Sequence, residues 1–465
     1  MSIKLPLKRM LLLCLFAIFL TKIFISGAIH YDCLSKNYGH GSQVCVCNSQ
    51  ICDKVKPLEP IPDQGAVVFT STKDGQRLVR TESFWTAPSV WDHEDRFSTF
   101  SHYWERNVEN WEVDFATNFQ TIDGFGGAFT DAAGINIASL PESAQDHLLN
   151  SYFSPQGGIA YNMGRVPIAS CDFSTSNYSY DDVVDDMELK HFALAKEDVK
   201  FKIPFLKKAI ILSNGSLRLF GSAWSSPFWM KNNHVMQHGG TLLGKPGGPY
   251  YKAYANYLIR FLDEYEKRGI KFWSLTVVNE PSAGFDPSYA FQSLGFTAKT
   301  QRDFIKLDLG PALEKSGRRN FKLMIMDDNK MMTLEWTAVI MADPQAAKYV
   351  SHVAVHWYTN RLTPLEIVDL TRDLFPNVSF IGTEACSGWI DNRVVLGSWE
   401  RAEDYAKDIL KNLNHWYTGW VDWNMALDLT GGPNWVSNFV DSPIIVNASG
   451  GEFYKQPMFY ALGHF

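Results

Sequence analysis

The sequence lacks long runs of basic residues, and its formal net charge is −7. Proteins that grip the phosphate backbone of nucleic acids need clustered lysine and arginine, so this composition argues against a nucleic acid partner. No glycine-rich phosphate fingerprint opens a predicted helix, which argues against nucleotide binding. The hydrophobic fraction of 46% supplies enough apolar side chains for a large core.

Two common catalytic motifs are also absent. The sequence has no H-E-x-x-H and no histidine pair at ligand spacing on one predicted helix, so it does not predict a metal centre. No G-x-S-x-G marks the exposed nucleophile of a serine hydrolase, and Ser225 and Ser226, which precede Pro227, are interpreted as structural. We therefore expect catalysis without a metal or any other cofactor.

Long apolar runs are scarce, and the one that stands out lies at the N-terminus. Lys4, Lys8 and Arg9 precede an apolar core over residues 10–20, and the small residues 26–28 suit cleavage. The alternative is an uncleaved signal anchor, although Lys22 interrupts the apolar stretch. We predict a secretory signal peptide at residues 1–29.

Cysteine is sparse and unevenly placed, because four of the seven residues lie between positions 33 and 52. In an oxidising compartment these four indicate two disulfides: Cys33, Cys45, Cys47 and Cys52. Zinc is the alternative, but one residue separates Cys45 from Cys47, which is too close for the usual C-x₂-C pair. Two further cysteines are expected to be free and buried: Cys171 and Cys386. Export makes four Asn-x-Ser sequons candidate glycosylation sites: Asn177, Asn214, Asn377 and Asn447.

Two patterns divide the chain after the signal segment. Residues 30–116 are rich in β-branched and aromatic residues, with strand candidates at 67–72 and 111–115, and predict an accessory β region. Over residues 117–430 short apolar runs alternate with amphipathic helical stretches. Eight of the runs are strand candidates: 122–129, 161–168, 217–223, 272–278, 322–326, 352–357, 379–382 and 419–423. The helical stretches fall near 142–151, 198–213, 250–268, 297–316, 333–348, 364–374 and 399–417. We predict the α/β class and a (β/α)₈ TIM barrel, with an open doubly wound sheet as the alternative.

Polar residues follow several predicted strands directly. The run that ends in Val277 and Val278 leads into Asn279 and Glu280, and Pro281 then ends the strand. Taken alone, this strand-end glutamate suits a structural ion pair as well as it suits catalysis. However, Glu384 follows another predicted strand, and the carboxyl ends of barrel strands form one catalytic face.

A pair of carboxylates on either side of a sugar bond is the requirement for glycoside hydrolysis. We assign Glu280 as the acid/base, because it lies beside Asn279, which can bind a sugar hydroxyl, and Glu384 as the nucleophile. Arg165 lies within the second predicted strand and is expected to keep Glu384 ionised. His356 and Tyr358 are expected to orient Glu384.

Ordered motifs from Cys33 to Phe465 resemble glycoside hydrolase family 30, and within it the glucosylceramidases. The motifs lie at 45–48 (Cys-Val-Cys-Asn), 123–131 (Asp-Gly-Phe-Gly-Gly-Ala-Phe-Thr-Asp), 165–173 (Arg-Val-Pro-Ile-Ala-Ser-Cys-Asp-Phe), 278–281 (Val-Asn-Glu-Pro), 431–436 (Gly-Gly-Pro-Asn-Trp-Val) and 438–446 (Asn-Phe-Val-Asp-Ser-Pro-Ile-Ile-Val). The resemblance implies the two catalytic roles assigned above and the disulfides Cys33–Cys45 and Cys47–Cys52. It also implies that five residues contact the glucosyl group: Asp172, Trp224, Asn279, Trp423 and Asn438.

The resemblance further implies a retaining enzyme of sphingolipid catabolism that hydrolyses glucosylceramide to glucose and ceramide. Such enzymes act in the lysosome at an anionic membrane surface, which they bind peripherally, with a saposin-type activator protein. Tyr289, Phe291 and Phe296 follow the fourth predicted strand, and either form an apolar mouth for the lipid or pack as ordinary loop residues.

The sequence departs from this family at its C-terminal end. The family adds further strands to the accessory domain, and residues 431–465 are interpreted as a truncated return to that domain. Unpaired strand edges would destabilise it. Two alternatives therefore stay open: a β-glucosidase acting on glucosylated sterols or other β-glucosides, and a truncated isoform that is non-catalytic or unstable.

Overall fold

The computed structural model describes residues 32–63, 65–84, 114, 116–390 and 393–465. The predicted signal peptide at 1–29 lies outside these residues, as does the strand candidate at 111–115 apart from Asp114. Among the described residues, no helix is both long and apolar enough to cross a lipid bilayer.

Within the described residues, four short strands precede the main domain: β1 Ser35–Asn37, β2 Gln43–Cys47, β3 Gly65–Thr70 and β4 Val79–Phe84. Strands β3 and β4 form a separate antiparallel hairpin. The disulfides Cys33–Cys45 and Cys47–Cys52 are both present. The first joins the segment before β1 to β2, and the second joins the end of β2 to the segment that follows it. Cys171 and Cys386 are free and buried, as the sequence predicted.

Eight parallel strands then close into a barrel, in the order β5-β6-β7-β8-β9-β10-β11-β12, with β12 paired to β5. Their bounds are β5 Gly124–Ala128, β6 Met163–Ile168, β7 Arg218–Ala223, β8 Ser274–Thr276, β9 Lys322–Asn329, β10 Val350–His356, β11 Ser379–Glu384 and β12 Tyr417–Asn424. Each predicted strand has its counterpart here. One cluster of six buried side chains, each from a different strand, packs together: Met163, Phe220, Met324, Ala354, Ile381 and Val421. Layers of this kind fill the interior of such barrels.

The helices surround this barrel. They are α1 Asp131–Ala138, α2 Glu142–Phe153, α3 Ile203–Leu212, α4 Pro249–Glu266, α5 Ala298–Phe304, α6 Gly310–Lys315, α7 Thr333–Met341, α8 Pro344–Ala347, α9 Glu366–Leu374, α10 Trp399–Leu413 and α11 Pro457–Leu462. Two π-helical turns adjoin them, Asp198–Lys202 before α3 and Ile305–Leu309 between α5 and α6. Apolar side chains three and four residues apart share one face of α4, and that face is buried.

The accessory sheet joins the two ends of the described chain. Its order is β1-β2-β15-β14-β13, where β13 is Ala426–Asp428, β14 is Ile444–Asn447 and β15 is Glu452–Lys455. Only Met425 separates barrel strand β12 from β13, so the chain runs from the barrel straight into the sheet. Lys455 Nζ lies 2.7 Å from Asp53 Oδ1, and Tyr460 donates to Asp53 Oδ2 at 2.7 Å. These buried contacts tie β15 and α11 to the disulfide-bonded segment.

Candidate active site

The carboxyl ends of the barrel strands enclose a cavity of about 330 Å³. Both Glu280, four residues after β8, and Glu384, the last residue of β11, line it. The five residues that the family resemblance assigns to the glucosyl group line it too: Asp172, Trp224, Asn279, Trp423 and Asn438. The remaining lining residues are Phe173, Tyr289, Phe291, Asn329, Tyr358, Cys386, Trp389 and Val440.

Glu280 is held in a strained backbone conformation. Its φ is +41°, a left-handed value that costs free energy for any residue with a Cβ. Two main-chain hydrogen bonds fix the turn, from Asn279 N to Ala223 O (2.7 Å) and from Glu280 N to Asp327 O (2.8 Å). Pro281 follows and opens a 3₁₀ turn. The neighbouring strands therefore aim this side chain into the cavity.

Two hydrogen-bond partners fix the Glu280 carboxylate. His356 Nδ1 lies 3.1 Å from its Oε1, and the Tyr289 hydroxyl donates to its Oε2 at 2.8 Å. Burial acts to raise the pKa of Glu280, but the hydrogen bond and charge of His356, with the Tyr289 hydrogen bond, outweigh burial and lower it. Glu280 is therefore protonated only under acidic conditions.

Glu384 faces Glu280 across the cavity. One carboxylate oxygen of Glu384 lies within 4.8 Å of one carboxylate oxygen of Glu280. Arg165 donates to Glu384 Oε2, and the Tyr358 hydroxyl donates to Oε1 at 2.7 Å. These two hydrogen bonds fix the position of both oxygens of the Glu384 side chain. His356 was expected to orient Glu384, but its Nδ1 lies 3.9 Å from Glu384 Oε1, and its closer partner is Glu280.

Asp327 is the principal site residue that the sequence analysis missed. It accepts hydrogen bonds from Arg165 (2.9 Å), Ser222 (2.6 Å) and Thr383 (2.7 Å), and lies 3.0 Å from His356 Nε2. Burial acts to raise its pKa, but Arg165 and His356 lower it strongly, so Asp327 stays ionised. Burial likewise acts to lower the pKa of His356, yet the surrounding carboxylates raise it to about 10.

Two tryptophans and a buried aspartate also line the cavity. The Trp224 and Trp423 rings stack at a centroid distance of 5.1 Å, and the Arg165 guanidinium lies 4.9 and 5.3 Å from their centroids. Asp172 accepts hydrogen bonds from the side-chain amides of Asn438 (3.0 Å) and Asn434 (3.3 Å). Burial and the nearby carboxylates raise the pKa of Asp172 to about 7 against these two hydrogen bonds. Asn434 was not among the predicted residues.

Of the two alternatives left open for Tyr289, Phe291 and Phe296, an apolar mouth or ordinary loop packing, Phe296 follows the second. Phe296 is only 1% exposed and packs edge-on against Tyr251, because its segment turns inward towards α4 and α5. Tyr289 and Phe291 do line the cavity. Exposed apolar side chains follow four consecutive barrel strands instead, and we call them the apolar rim: Phe285, Met331, Leu362, Trp389 and Ile390.

The four predicted glycosylation sites differ in exposure. Asn177, Asn214 and Asn377 are exposed, whereas Asn447 is half-buried. The Asn447 amide nitrogen lies 3.2 Å from Glu452 Oε1 and 3.1 Å from the Tyr454 hydroxyl. A glycan on that nitrogen would leave it one N–H, so at least one of these hydrogen bonds would break, and Asn447 is the least favourable of the four acceptors.

Comparisons with known proteins agree with this geometry. Residues 122–465 match the TIM-barrel domain of glycosyl hydrolase family 30. The Caenorhabditis elegans protein named "Putative glucosylceramidase 3" is 46% identical over 98% of this chain and 85% of its own length. The lysosomal acid glucosylceramidase of Mus musculus is 44% identical over 93% of this chain and 81% of its own length. The crystal structure of SrfJ from Salmonella typhimurium aligns with a TM-score of 0.75 at 29% identity, over 86% of this chain and 83% of that one. Because the family match spans most of the chain and includes both glutamates, the chain belongs to glycosyl hydrolase family 30 and is a glycoside hydrolase.

Proposed function

We propose that this enzyme is a retaining β-glucosidase that hydrolyses glucosylceramide to glucose and ceramide. The observation that carries the proposal is the close approach of the two carboxylates, whose nearest oxygens lie within 4.8 Å. Retaining glycosidases hold their carboxyl groups about 5–5.5 Å apart, whereas inverting enzymes need about 6.5–9.5 Å to admit a water molecule. The separation between Glu280 and Glu384 fits the first class.

In the first step Glu384 attacks the anomeric carbon of the glucosyl group. The bond from that carbon to the ceramide oxygen breaks, and Glu280 donates its proton to the departing oxygen. A glucosyl ester of Glu384 results. In the second step Glu280, now a carboxylate, accepts a proton from water, the water oxygen attacks the anomeric carbon, and Glu384 leaves.

The other site residues bind and orient the sugar in this scheme. Asp172 and Asn438 offer hydrogen bonds to glucose hydroxyls, and the paired Trp224 and Trp423 rings provide a flat apolar wall. Arg165 bonds both Glu384 and Asn279 Oδ1 (2.8 Å), so one buried guanidinium fixes the nucleophile and a sugar-binding amide together. Their positions are therefore set before the substrate binds, which lowers the barrier to reaction.

The lipid substrate is supported by two observations of different kind. Two relatives that the chain resembles over more than nine-tenths of its length are named glucosylceramidases. The apolar rim also offers side chains for a lipid surface, and Leu362, 85% exposed, lies beside the exposed cation Arg361, whose Nη2 lies 3.7 Å from Asp404 Oδ2. We propose peripheral binding to an anionic membrane through this rim. A signal peptide, glycosylation, lysosomal delivery and a saposin-type activator complete the proposal by resemblance to the same enzymes.

Covalent labelling tests the mechanism. Purified protein is incubated with 2,4-dinitrophenyl 2-deoxy-2-fluoro-β-glucoside, and the peptides are mapped by mass spectrometry. We expect one fluoroglucosyl group, attached to Glu384, and activity that is lost in proportion to labelling. Folded protein that acquires no label, or label on Glu280, would contradict the assignment.

Product analysis tests the substrate. The enzyme is given glucosylceramide and glucosylated sterol in identical detergent micelles, and the initial rates of glucose release are compared. We expect glucosylceramide to be hydrolysed faster, and NMR to show β-glucose as the first product. Faster release from the sterol glucoside would favour the alternative substrate, and α-glucose would exclude retention.

A further inference from the structure

The loop that carries Tyr289 is hydrogen-bonded to a neighbouring loop. The Tyr289 loop, here called the acid loop, spans residues 284–295 and brings the Tyr289 hydroxyl within 2.8 Å of Glu280 Oε2. The neighbouring loop, here called the clamp loop, spans residues 231–243 after β7, and a bridge between Lys231 and Leu242 closes its base. The two loops lie side by side, and the acid loop lines the cavity with Tyr289 and Phe291.

Main-chain hydrogen bonds run between these loops along their length. They are His238 N to Tyr289 O (3.0 Å), Ser293 N to Met236 O (3.0 Å), Gly240 N to Gly284 O (2.8 Å) and Gly295 N to Gly240 O (2.8 Å). Gly239 N also donates to Ser293 Oγ at 3.1 Å. The acid loop is therefore bonded to the clamp loop at both ends and at Tyr289 itself.

Lys231 adds a buried cation to this junction. Its side chain is inaccessible to solvent, and Nζ donates to Met236 O (2.9 Å) in the clamp loop and to Ser293 O (2.6 Å) in the acid loop. Among the described residues no carboxylate forms an ion pair with it, and burial lowers its pKa to about 7. A buried ammonium without a counter-ion costs free energy, and an apolar side chain of similar length would avoid that cost. The lysine therefore needs a reason beyond the packing of two loops.

We propose that Lys231 is a positioning residue for the proton donor: by bonding both loops, it holds the Tyr289 hydroxyl against Glu280. The inference rests on the proposed function, because it matters only if Glu280 transfers a proton. The Tyr289 hydrogen bond favours the carboxylate that remains once Glu280 has given its proton away. Loss of that bond weakens Glu280 as an acid, and substrates with poor leaving groups depend most on the acid.

Leaving-group dependence provides the test, with octyl β-glucoside as the poor leaving group and 2,4-dinitrophenyl β-glucoside as the good one. We expect Lys231→Met and Tyr289→Phe each to lower kcat/KM, which reports the first step, about tenfold more on the octyl substrate, the size expected for one hydrogen bond to a charged group. The double variant should be no worse than Tyr289→Phe alone, because both substitutions remove the same contact. Equal losses on both substrates, or additive losses in the double variant, would overturn the proposal.

A matched variant separates positioning from general destabilisation. Lys455→Met also removes a buried lysine, from the accessory sheet, and should lower the melting temperature without changing the ratio of the two rates. If Lys231→Met does not yield folded protein, Lys231→Gln, which keeps a neutral donor, serves in its place with the same expected direction.

Amide hydrogen exchange gives a readout that does not need catalysis. We expect Lys231→Met to speed exchange in residues 284–295 more than in the barrel strands. Unchanged exchange in residues 284–295 would overturn the proposal that Lys231 holds the acid loop in place. If the wild-type enzyme hydrolyses neither glucoside, the proposed function fails and this role fails with it. If the wild type is active and the variant's rate ratio is normal, only the Lys231 inference fails.

Discussion

One arginine connects most of the polar groups in this site. Arg165 is fully buried, and its two terminal nitrogens bond Glu384, Asn279, Asp327 and Ser222. Buried charges are tolerated only when they are paired and hydrogen-bonded, and Asp327 supplies the permanent partner. In the proposed mechanism Glu384 can therefore gain or lose a covalent bond to the sugar without leaving the guanidinium uncompensated.

The role assigned to Glu280 is tested most directly by Glu280→Gln, which keeps the size of the side chain and removes its titration. We expect kcat/KM on alkyl β-glucosides to fall by about 10²–10⁴-fold, the usual contribution of a general acid. Dinitrophenyl glucosides should suffer much less in the first step, and added azide should restore their turnover by replacing the activated water. Equal losses on both substrates, without rescue, would argue against the acid/base role.

His356 should set the pH range of activity. Only protonated Glu280 can donate, so kcat/KM falls as pH rises through the Glu280 pKa, which the His356 cation lowers. We expect His356→Gln to raise that pKa and to move the falling limb of the pH profile to higher pH, although overall activity drops.

His352→Gln provides the control for this experiment. That histidine lies 3.0 Å from Asp123 at the amino end of the barrel strands, away from the cavity. Its loss should affect stability and leave the limb in place. A limb that shifts to lower pH in His356→Gln would show that His356 is not the dominant influence on Glu280.

The sequence located the two glutamates because strand ends are marked by an abrupt change from apolar to polar residues. Asp327 escaped because the predicted fifth strand ended at Met326, whereas β9 continues to Asn329 through two residues with positive φ, Met326 and Asp327. A bulge of this kind changes the direction of a side chain, and amino-acid composition does not predict where a bulge occurs. Two adjacent acids directly after an apolar strand were the available clue.

At the scale of elements, the barrel strands were predictable and some helices were not. Strands buried on both faces are nearly continuous apolar runs, so their positions could be read from the sequence alone. Helix α1 is short and contains alanine, glycine and asparagine, and it is buried on most sides, which removes the amphipathic period. Helix α11 has six residues, all buried, and shows no polar face either. Hydrophobic periodicity therefore does not identify a helix that is buried on all sides.

The loops after β8, β9, β10 and β11 carry the apolar rim, and this placement has a measurable consequence. We expect Leu362→Glu to weaken binding to vesicles of phosphatidylserine and phosphatidylcholine several-fold, because an exposed leucine loses its apolar contact and an anion faces an anionic surface. Hydrolysis of a water-soluble nitrophenyl glucoside should not change. Sedimentation with vesicles measures the first effect and a colorimetric assay the second.

Ile211→Glu is the matched control for the rim. Ile211 is 74% exposed on α3, so the substitution adds the same charge on the outer ring of helices. Vesicle binding should be retained in this variant. Equal weakening by both substitutions would indicate a general charge effect and would remove the rim from the proposal.

At the scale of the whole molecule, the accessory sheet and the barrel share one piece of chain and one part of the site. The connection from β13 to β14 carries Asn438 to the cavity, where it bonds Asp172 from the loop after β6. The connection between two strands of the sheet thus contributes a residue to the lining of the cavity. The stability of the sheet rests on β2, which both disulfides secure.

Removing each disulfide in turn should show how far sheet and barrel are coupled. By chain entropy we expect the Cys33→Ser/Cys45→Ser pair to lower the free energy of unfolding by about 3 kcal/mol, and the shorter Cys47–Cys52 loop by about 2 kcal/mol. Urea titration measures both. Activity on a nitrophenyl glucoside at 25 °C should persist, since Glu280 and Glu384 belong to the barrel. Its loss in still-folded protein would contradict this expectation and show that the disulfides also hold Asn438 at the cavity.

The charged side chains around Arg165 set the net charge that a bound sugar meets in the cavity at a given pH. Two cations, Arg165 and His356, face three carboxylates, Glu280, Glu384 and Asp327. When Glu280 is protonated the group is electrically neutral, and it suits an uncharged glucoside. When Glu280 ionises, the group carries one negative charge, which a sugar hydroxyl cannot neutralise. A basic glucose mimic with a ring ammonium can neutralise that charge. The affinity of the enzyme for such a mimic should therefore rise with pH over the range in which hydrolysis declines.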